Sequence, residues 1–299
     1  MYLAIDIGGT SIKYGIIEEM ESDIKIINNF ETPTNAKILK APGIENKIIE
    51  LAKEMTKKYE LEGVAISTAG MVNPDSGEII YANENIPDYT GINLKKVITN
   101  QFNLPCEVEN DVNAAALGEY AYGAGKGHHG LLCITVGTGI GGALIIDDEI
   151  YRGHSFSAGE IGYMIVEGKE FQKIASTTAL VSRVRERDNT NSELNGNIIL
   201  ERAKNNDSIC IEEISKTCDI IAQGISNCSC MLNPEMVILG GGIMAQEDYL
   251  RPIIEFYLKK YMNEDIFKNT KLCFAKLGNF AGMIGAYYKL KQKIFGIEF

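Results

Sequence analysis

The chain has 299 residues, 29 of them basic and 40 acidic, giving a net charge of −11 at pH 7, and 45% of the residues are apolar. At about 100–200 residues per domain this is one large domain or two packed ones, able to bury a core without covalent staples. The acidic balance disfavours a nucleic-acid binder, which needs a basic face to displace counterions. Seven scattered cysteines without a CxxC pair fit neither a disulfide framework nor a zinc cluster. No apolar run reaches the roughly 18 residues of a membrane span. The first residues lack the basic flank and cleavage site of a signal peptide, and reduced thiols point to the cytoplasm.

Tyr2 to Ile7 reads as a strand carrying Asp6, followed by the turn Gly8-Gly9-Thr10 and a second strand. A third strand is predicted at about Ile24 to Thr32. Between Gly43 and Glu60, the residues Ile44, Ile48, Leu51 and Met55 recur at three- and four-residue spacing and predict an amphipathic helix. The β-branched run Gly63 to Thr68 is the next strand. The order β-β-β-α-β predicts an α/β domain with a mixed sheet. Glu107 to Ala116 runs from a strand into a helix. Near Leu131 the pattern restarts with strand, glycine turn and strand. Helices are predicted from Ser176 and from Ile211, and a strand over Met236 to Leu239. Arg185 to Asn197 is the most polar stretch, a surface loop or frayed helix end.

The segments AIDIGGTSIKYGIIEE (from Ala4) and CITVGTGIGGALIIDD (from Cys133) suggest a unit repeated about 130 residues apart. Two similar α/β domains with a cleft between them follow from it. The predicted division is 1–115 for a smaller N-terminal domain and 116–285 for a larger one, with a helix at about 286–299 returning to the first.

Four glycine-rich segments stand at strand ends: Gly8 to Thr10, Gly137 to Gly142, Gly240 to Gly242, and Gly278 to Gly285. Glycine lets a backbone approach a phosphate and turn its N–H groups toward it. Singly, each reads as well as a tight hairpin; four together favour a nucleotide. Gly137, Gly139 and Gly142 satisfy GxGxxG, but a dinucleotide site needs a helix next, and ALIID is strand-like. No GxxxxGK[ST] is present. Asp6, a carboxylate in an apolar strand, either faces a magnesium ion through water or accepts bonds from the neighbouring turn. Asp111 stands at a helix start. It is either an N-cap, a role Asn110 can also fill, or a base that accepts a hydroxyl proton in phosphoryl transfer. Glu160, between Gly159 and Gly162, is either a surface acid or a ligand for vicinal hydroxyls. His128, His129 and His154 read as loop residues.

Together these segments resemble the ROK family (repressors, open reading frames and sugar kinases), within the actin-like sugar-kinase superfamily. DIGGT at Asp6 to Thr10, STAG at Ser67 to Gly70, ENDVNAAALGE at Glu109 to Glu119, VGTGIGGALI with SAGEIGYM, and LGGGI at Leu239 to Ile243 carry the resemblance in the family's order. It implies an actin-like, ribonuclease H-like α/β fold with duplicated domains and a central cleft. It implies Mg-ATP at Asp6, Gly8, Gly9, Thr10, Lys13, Gly137, Thr138, Gly139, Gly241 and Gly242, with magnesium on Asp6 bridged by water. Gly70, Asn83, Asn110, Asp111, Glu160, Tyr163 and Gln172 would meet the sugar, with Asp111 the base that activates the 6-hydroxyl. A homodimer is expected by family analogy.

Three departures mark this chain. Many members carry a histidine after GEIG and then a CxCGxxGC zinc loop; here Tyr163 follows and no such cluster does, so no zinc is expected. Cys228 and Cys230 lie about 65 residues on, in an apparent helix. Gln172 stands where the family has a glutamate; it can still hydrogen-bond a sugar hydroxyl, but without the charge. This pattern resembles bacterial N-acetylmannosamine kinases and β-glucoside kinases more than zinc-bearing glucokinases. The expected activity is 6-phosphorylation of N-acetylmannosamine, with glucose or a β-glucoside as alternatives. A sugar-responsive repressor of this family would carry a helix-turn-helix ahead of Asp6, where only five residues stand. A catalytically silent sugar-binding protein is the third reading.

Overall fold

The six residues Tyr2–Ile7 form strand β1, buried on both faces except at half-buried Asp6, as expected of a central strand. The computed structural model describes all residues except 22, 83–85, 189–192 and 297–299. The chain divides into two compact units, one of Met1–Gly123, Gly153–Ser157 and Asn279–Phe299, the other of Ala124–Arg152 and Ala158–Gly278.

In the first unit, β2 (Ser11–Glu19) runs antiparallel to β1 and β3 (Ile24–Pro33) antiparallel to β2. Helix α1 (Ala36–Lys58) leads to β4 (Gly63–Thr68), which lies parallel to β1. A short hairpin, β5 (Met71–Val72) and β6 (Ile79–Tyr81), precedes α2 (Leu94–Phe102), then β7 (Cys106–Asn110), parallel to β4, and α3 (Asp111–Tyr122). The sheet order is β3-β2-β1-β4-β7. Helix α1 begins earlier than the apolar spacing predicts. A turn at Ala36 to Leu39 is joined to the main helix across a kink at Lys40 (φ 51°), and Pro42 then sits in the first turn after it, where its missing N–H costs no intrahelical bond.

The second unit repeats the plan. Strand β8 (Leu131–Val136) pairs antiparallel with β9 (Ile140–Ile146), and β10 (Glu149–Ile150) follows at the edge. The hairpin β11 (Ile165–Val166) and β12 (Lys169–Glu170) leads to α4 (Phe171–Ala175), α5 (Thr177–Asp188), α6 (Gly196–Lys204) and α7 (Ser208–Leu232). Strand β13 (Met236–Gly240) is parallel to β8; after α8 (Glu247–Tyr261) and α9 (Glu264–Asn269), β14 (Lys271–Phe274) is parallel to β13. The order β10-β9-β8-β13-β14 matches the first sheet strand for strand in position and direction. Because β9 starts at Ile140, the GxGxxG turn closes a hairpin. Ile134, Phe171, Ile221 and Leu239 belong to this unit's core.

The last helix, α10 (Ala281–Phe295), belongs to the first unit. One face of that unit's sheet, with Ile5 and Ile66, shares a core with Ile44 and Ile48 of α1 and Ile98 of α2. On the other face, Ala4, Ala65, Ala114, Met283 and Tyr287 pack around α3 and α10. Helices α3 and α10 meet backbone to backbone. A Cβ on Gly285 would lie 1.6 Å from the Ala114 carbonyl oxygen, and one on Gly118 would lie 2.5 Å from that of Ala281. Among the described residues, no helix is long and apolar enough to cross a membrane.

Candidate active site

The parallel strands of the first unit stop in step: Ile7 pairs with Thr68, and Thr68 with Asn110. The Gly8 turn, the Ala69-Gly70 turn and the start of α3 therefore leave one carboxyl edge, where α/β sheets bind ligands. One residue further in, Asp6, Ser67 and Glu109 form an in-register row whose side chains share a face. Ser67 Oγ donates to Asp6 Oδ1 at 2.6 Å. Burial pushes the Asp6 carboxyl above the usual range, against the Ser67 bond and the charge of Lys13, its cross-strand neighbour on β2.

The Gly8 turn is pinned from both ends. Gly8 N–H donates to Ser11 O (3.0 Å), while Thr34 donates from Oγ1 to Gly8 O (2.6 Å) and from N to Thr10 O (2.8 Å). Gly9 and Thr10 remain exposed between these anchors. At the end of β7, Asn110 caps α3: its Oδ1 accepts from Val112 N and Asn113 N, both at 3.0 Å. Its Nδ2 donates to Gly70 O and to Asp111 Oδ1, both at 2.9 Å. The cap thus belongs to Asn110, and Asp111 is a carboxylate in the first turn, where the helix dipole favours negative charge. Gly70 has φ +100°, and a Cβ there would sit 2.8 Å from Tyr81 O.

In the second unit, the turn Gly137-Thr138-Gly139 is closed by Gly137 N–H to Gly139 O (2.9 Å), and Thr177 N–H donates to Gly137 O (2.9 Å). Gly241 (φ +105°) lies on the backbone of Val136, which a Cβ would approach to 2.2 Å, so this glycine loop packs beside the β8 turn; Gly241 and Gly242 are exposed. Glu160 precedes a 3-10 turn over Ile161–Tyr163. The residue is exposed as a whole, yet partial desolvation raises its carboxyl pKa. Tyr163 is 50% exposed. Gln172 Oε1 lies against the backbones of both Gly139 and Gly162, 3.0 and 3.3 Å from where their Cβ atoms would be. Gln172 thus adjoins both the β8–β9 turn and the loop of Glu160.

Packing and hydrogen bonds hold that loop. The Phe171 ring lies over Gly224 of α7, where a Cβ would come within 2.5 Å of it. Phe171 N–H donates to Met164 O (2.8 Å), Cys228 Sγ contacts Met164 Sδ (3.8 Å), and Gln223 Nε2 donates to Glu167 Oε1 (2.8 Å). Cys228 and Cys230 lie on α7, as predicted. Among the described residues, no group of three or more His, Cys, Asp and Glu side chains is placed to hold a metal ion.

Asp6, Gly8, Gly9, Thr10, Lys13, Gly70, Asn110 and Asp111 belong to the first unit; Gly137, Thr138, Gly139, Glu160, Tyr163, Gln172, Gly241 and Gly242 belong to the second. Asn83 lies outside the described residues. Sequence reading missed Ser67 as the partner of Asp6, and Thr34 as the anchor of the Gly8 turn. It also missed the buried pair Glu109–Lys289 (2.9 Å). Lys289, directly after the apolar run Ala281 to Tyr288, was the available signal for that pair.

Two sheets of identical order, each with a glycine turn after its central strand, define an actin-like, ribonuclease H-like fold. A model of the ROK family matches residues 2–293, and the chain belongs to that family. An uncharacterized protein of Clostridium perfringens is 50% identical over 293 residues, 98% of each chain. A β-glucoside kinase of Listeria monocytogenes is 31% identical over 97% of each. Among solved structures, a ROK family glucokinase from Streptomyces griseus, in complex with glucose and AMPPNP, is 28% identical with a TM-score of 0.81, covering 95% of this chain and 97% of that one. A candidate N-acetylmannosamine kinase from Listeria monocytogenes is 26% identical with a TM-score of 0.85, covering 98% and 99%.

Proposed function

We propose that this protein is a cytoplasmic sugar kinase that transfers the γ-phosphoryl group of Mg-ATP to the 6-hydroxyl of a hexose or N-acetylhexosamine. The observation that carries the reading is the step-matched edge of β1, β4 and β7. It gathers the Gly8 turn, Asp6, Asn110 and Asp111 in one unit. The related kinases, and the glucose and AMPPNP held by the Streptomyces griseus enzyme, support it.

Asp111 takes the proton of the sugar hydroxyl as the new O–P bond forms and the bond to the β-phosphate breaks; ADP leaves. Such transfer depends chiefly on positioning and charge stabilisation, so the base mainly orients the nucleophile. Asn110 fixes Asp111 through its Nδ2 bond. Beyond the Gly8 and Gly137 N–H groups, which close their own turns, the backbone of each glycine turn is proposed to offer N–H groups to phosphate oxygens. Asp6, an oxygen donor at the strand end with Oδ1 already engaged by Ser67, suits a magnesium ion that keeps most of its waters. Asn110 and Gly70 in the first unit, and Glu160, Tyr163 and Gln172 in the second, are each proposed as sugar ligands.

N-acetylmannosamine is the first choice of sugar, on the combination of Tyr163 and Gln172 with the related Listeria structure. Glucose and β-glucosides follow. A coupled ADP-release assay across N-acetylmannosamine, N-acetylglucosamine, glucose, mannose, fructose and cellobiose tests the reading. Highest kcat/KM with N-acetylmannosamine is expected, and no turnover with any of these sugars would overturn the kinase. A homodimer, testable by sedimentation equilibrium, is part of the same proposal.

A further inference from the structure

Helix α10 lies on the face of the sheet that carries the row Asp6, Ser67 and Glu109. Gly282 sits over its first two members, and Lys289, seven residues and two turns on, sits over the third. Lys289 and Glu109 are 4% and 1% exposed. Lys289 Nζ donates to Glu109 Oε2 at 2.9 Å and to Val108 O at 3.2 Å. The other carboxylate oxygen, Glu109 Oε1, accepts from Asn110 N–H at 3.0 Å and from Asn113 Nδ2 at 3.3 Å. Asn110 and Asn113 flank Asp111 on both sides.

We propose that Lys289 is a positioning residue for phosphoryl transfer: through Glu109 it fixes the backbone of Asn110 and the first turn of α3, and so the aim of Asp111. This rests on the kinase reading above. A carboxylate withdrawn from water adopts the geometry that satisfies it, and here its two oxygens are shared between the cation of α10 and the peptide that launches α3. The pair lies in the interior of its unit, where removal of either partner takes a charge-assisted hydrogen bond from the other and lets the junction shift. A shift of about 1 Å at a reacting group costs up to about 100-fold in rate.

The test compares wild type with Lys289→Met and with Glu109→Gln/Lys289→Met, which removes both charges of the pair. Rates are normalised to the folded fraction counted by ATP-binding titration. The expected result for Lys289→Met is a kcat lower by about 10–100-fold and a raised sugar KM, with the ATP KM unchanged. A merely structural role would lower the folded fraction and leave kcat per folded molecule and both KM values as they are, and that outcome overturns the proposal. If Lys289→Met does not fold, the double variant decides by the same criterion: lowered kcat with raised sugar KM supports positioning, and wild-type values overturn it. A wild type that turns over no sugar defeats the kinase reading, and this inference with it. A wild type that turns over beside an unaffected variant defeats this inference alone.

Discussion

Gly282 and Asp6 are in such close contact that a Cβ on the glycine would lie 3.0 Å from Asp6 Oδ1 and 2.9 Å from Ser67 Oγ. The carboxylate proposed to face the magnesium of Mg-ATP is therefore shielded from one side by the backbone of the last helix. Gly282→Ala has to displace the Ser67–Asp6 pair or α10. The expected outcome is a loss of kcat on the order of tenfold together with a higher magnesium requirement, read in an ADP-release assay over a magnesium series. Unchanged magnesium dependence would mean that the helix yields instead.

Asp111→Asn removes the proton acceptor while keeping a side chain able to bond Val112 N–H. Turnover should fall by about 10²–10⁴-fold. Sugar binding by calorimetry should survive, since Asn110 and the ligands proposed in the second unit are untouched. Near-normal turnover would remove Asp111 from its proposed role.

The raised pKa of Glu160 has a testable sign. Its cause is desolvation, which disfavours the carboxylate, so on acidification the folded protein protonates Glu160 before ordinary glutamates. In its proposed place at the sugar, a protonated Glu160 loses its charge and part of its acceptor capacity, and so holds two hydroxyls less well. The sugar KM should rise as pH falls, beginning above the ordinary glutamate pKa of about 4.3, while the ATP KM changes less. Glu160→Gln should flatten that acid limb. An identical pH profile in the variant would assign the limb elsewhere.

Gly224→Ala drives a methyl into the Phe171 ring and so disturbs the support of Gln172 and the Glu160 loop. A stability loss of about 1–3 kcal/mol by urea denaturation and a raised sugar KM are expected. In the same vein, atomic absorption on the purified protein should find no stoichiometric zinc, because this packing holds the loop. One zinc per chain would refute that account.

Gly285→Ala tests the seam between α3 and α10. With 1.6 Å between its Cβ and Ala114 O, the helices must separate, and a loss of about 3 kcal/mol or more is expected from the urea midpoint. A midpoint equal to wild type would show that the helices can part freely.

The repeated strand–turn–strand units, the strand Gly63–Thr68 and the cap at Asn110 were legible in the sequence because each is encoded locally. Alternation, glycine and a helix-start residue act within a few positions. The start of α1 was not legible, since the positive φ at Lys40 joins a turn that has no apolar period to the main helix. Tertiary structure alone decided what surrounds the carboxylates. Glu109 meets Lys289 across 180 residues, and Asp6 meets Ser67 across 61. No spacing along the chain announces such pairs. Strand register sets the row of Asp6, Ser67 and Glu109, and glycine contacts bring α10 close enough to reach it. A buried charge can be read from sequence as a demand for a partner; which partner answers depends on how the sheet and helices pack.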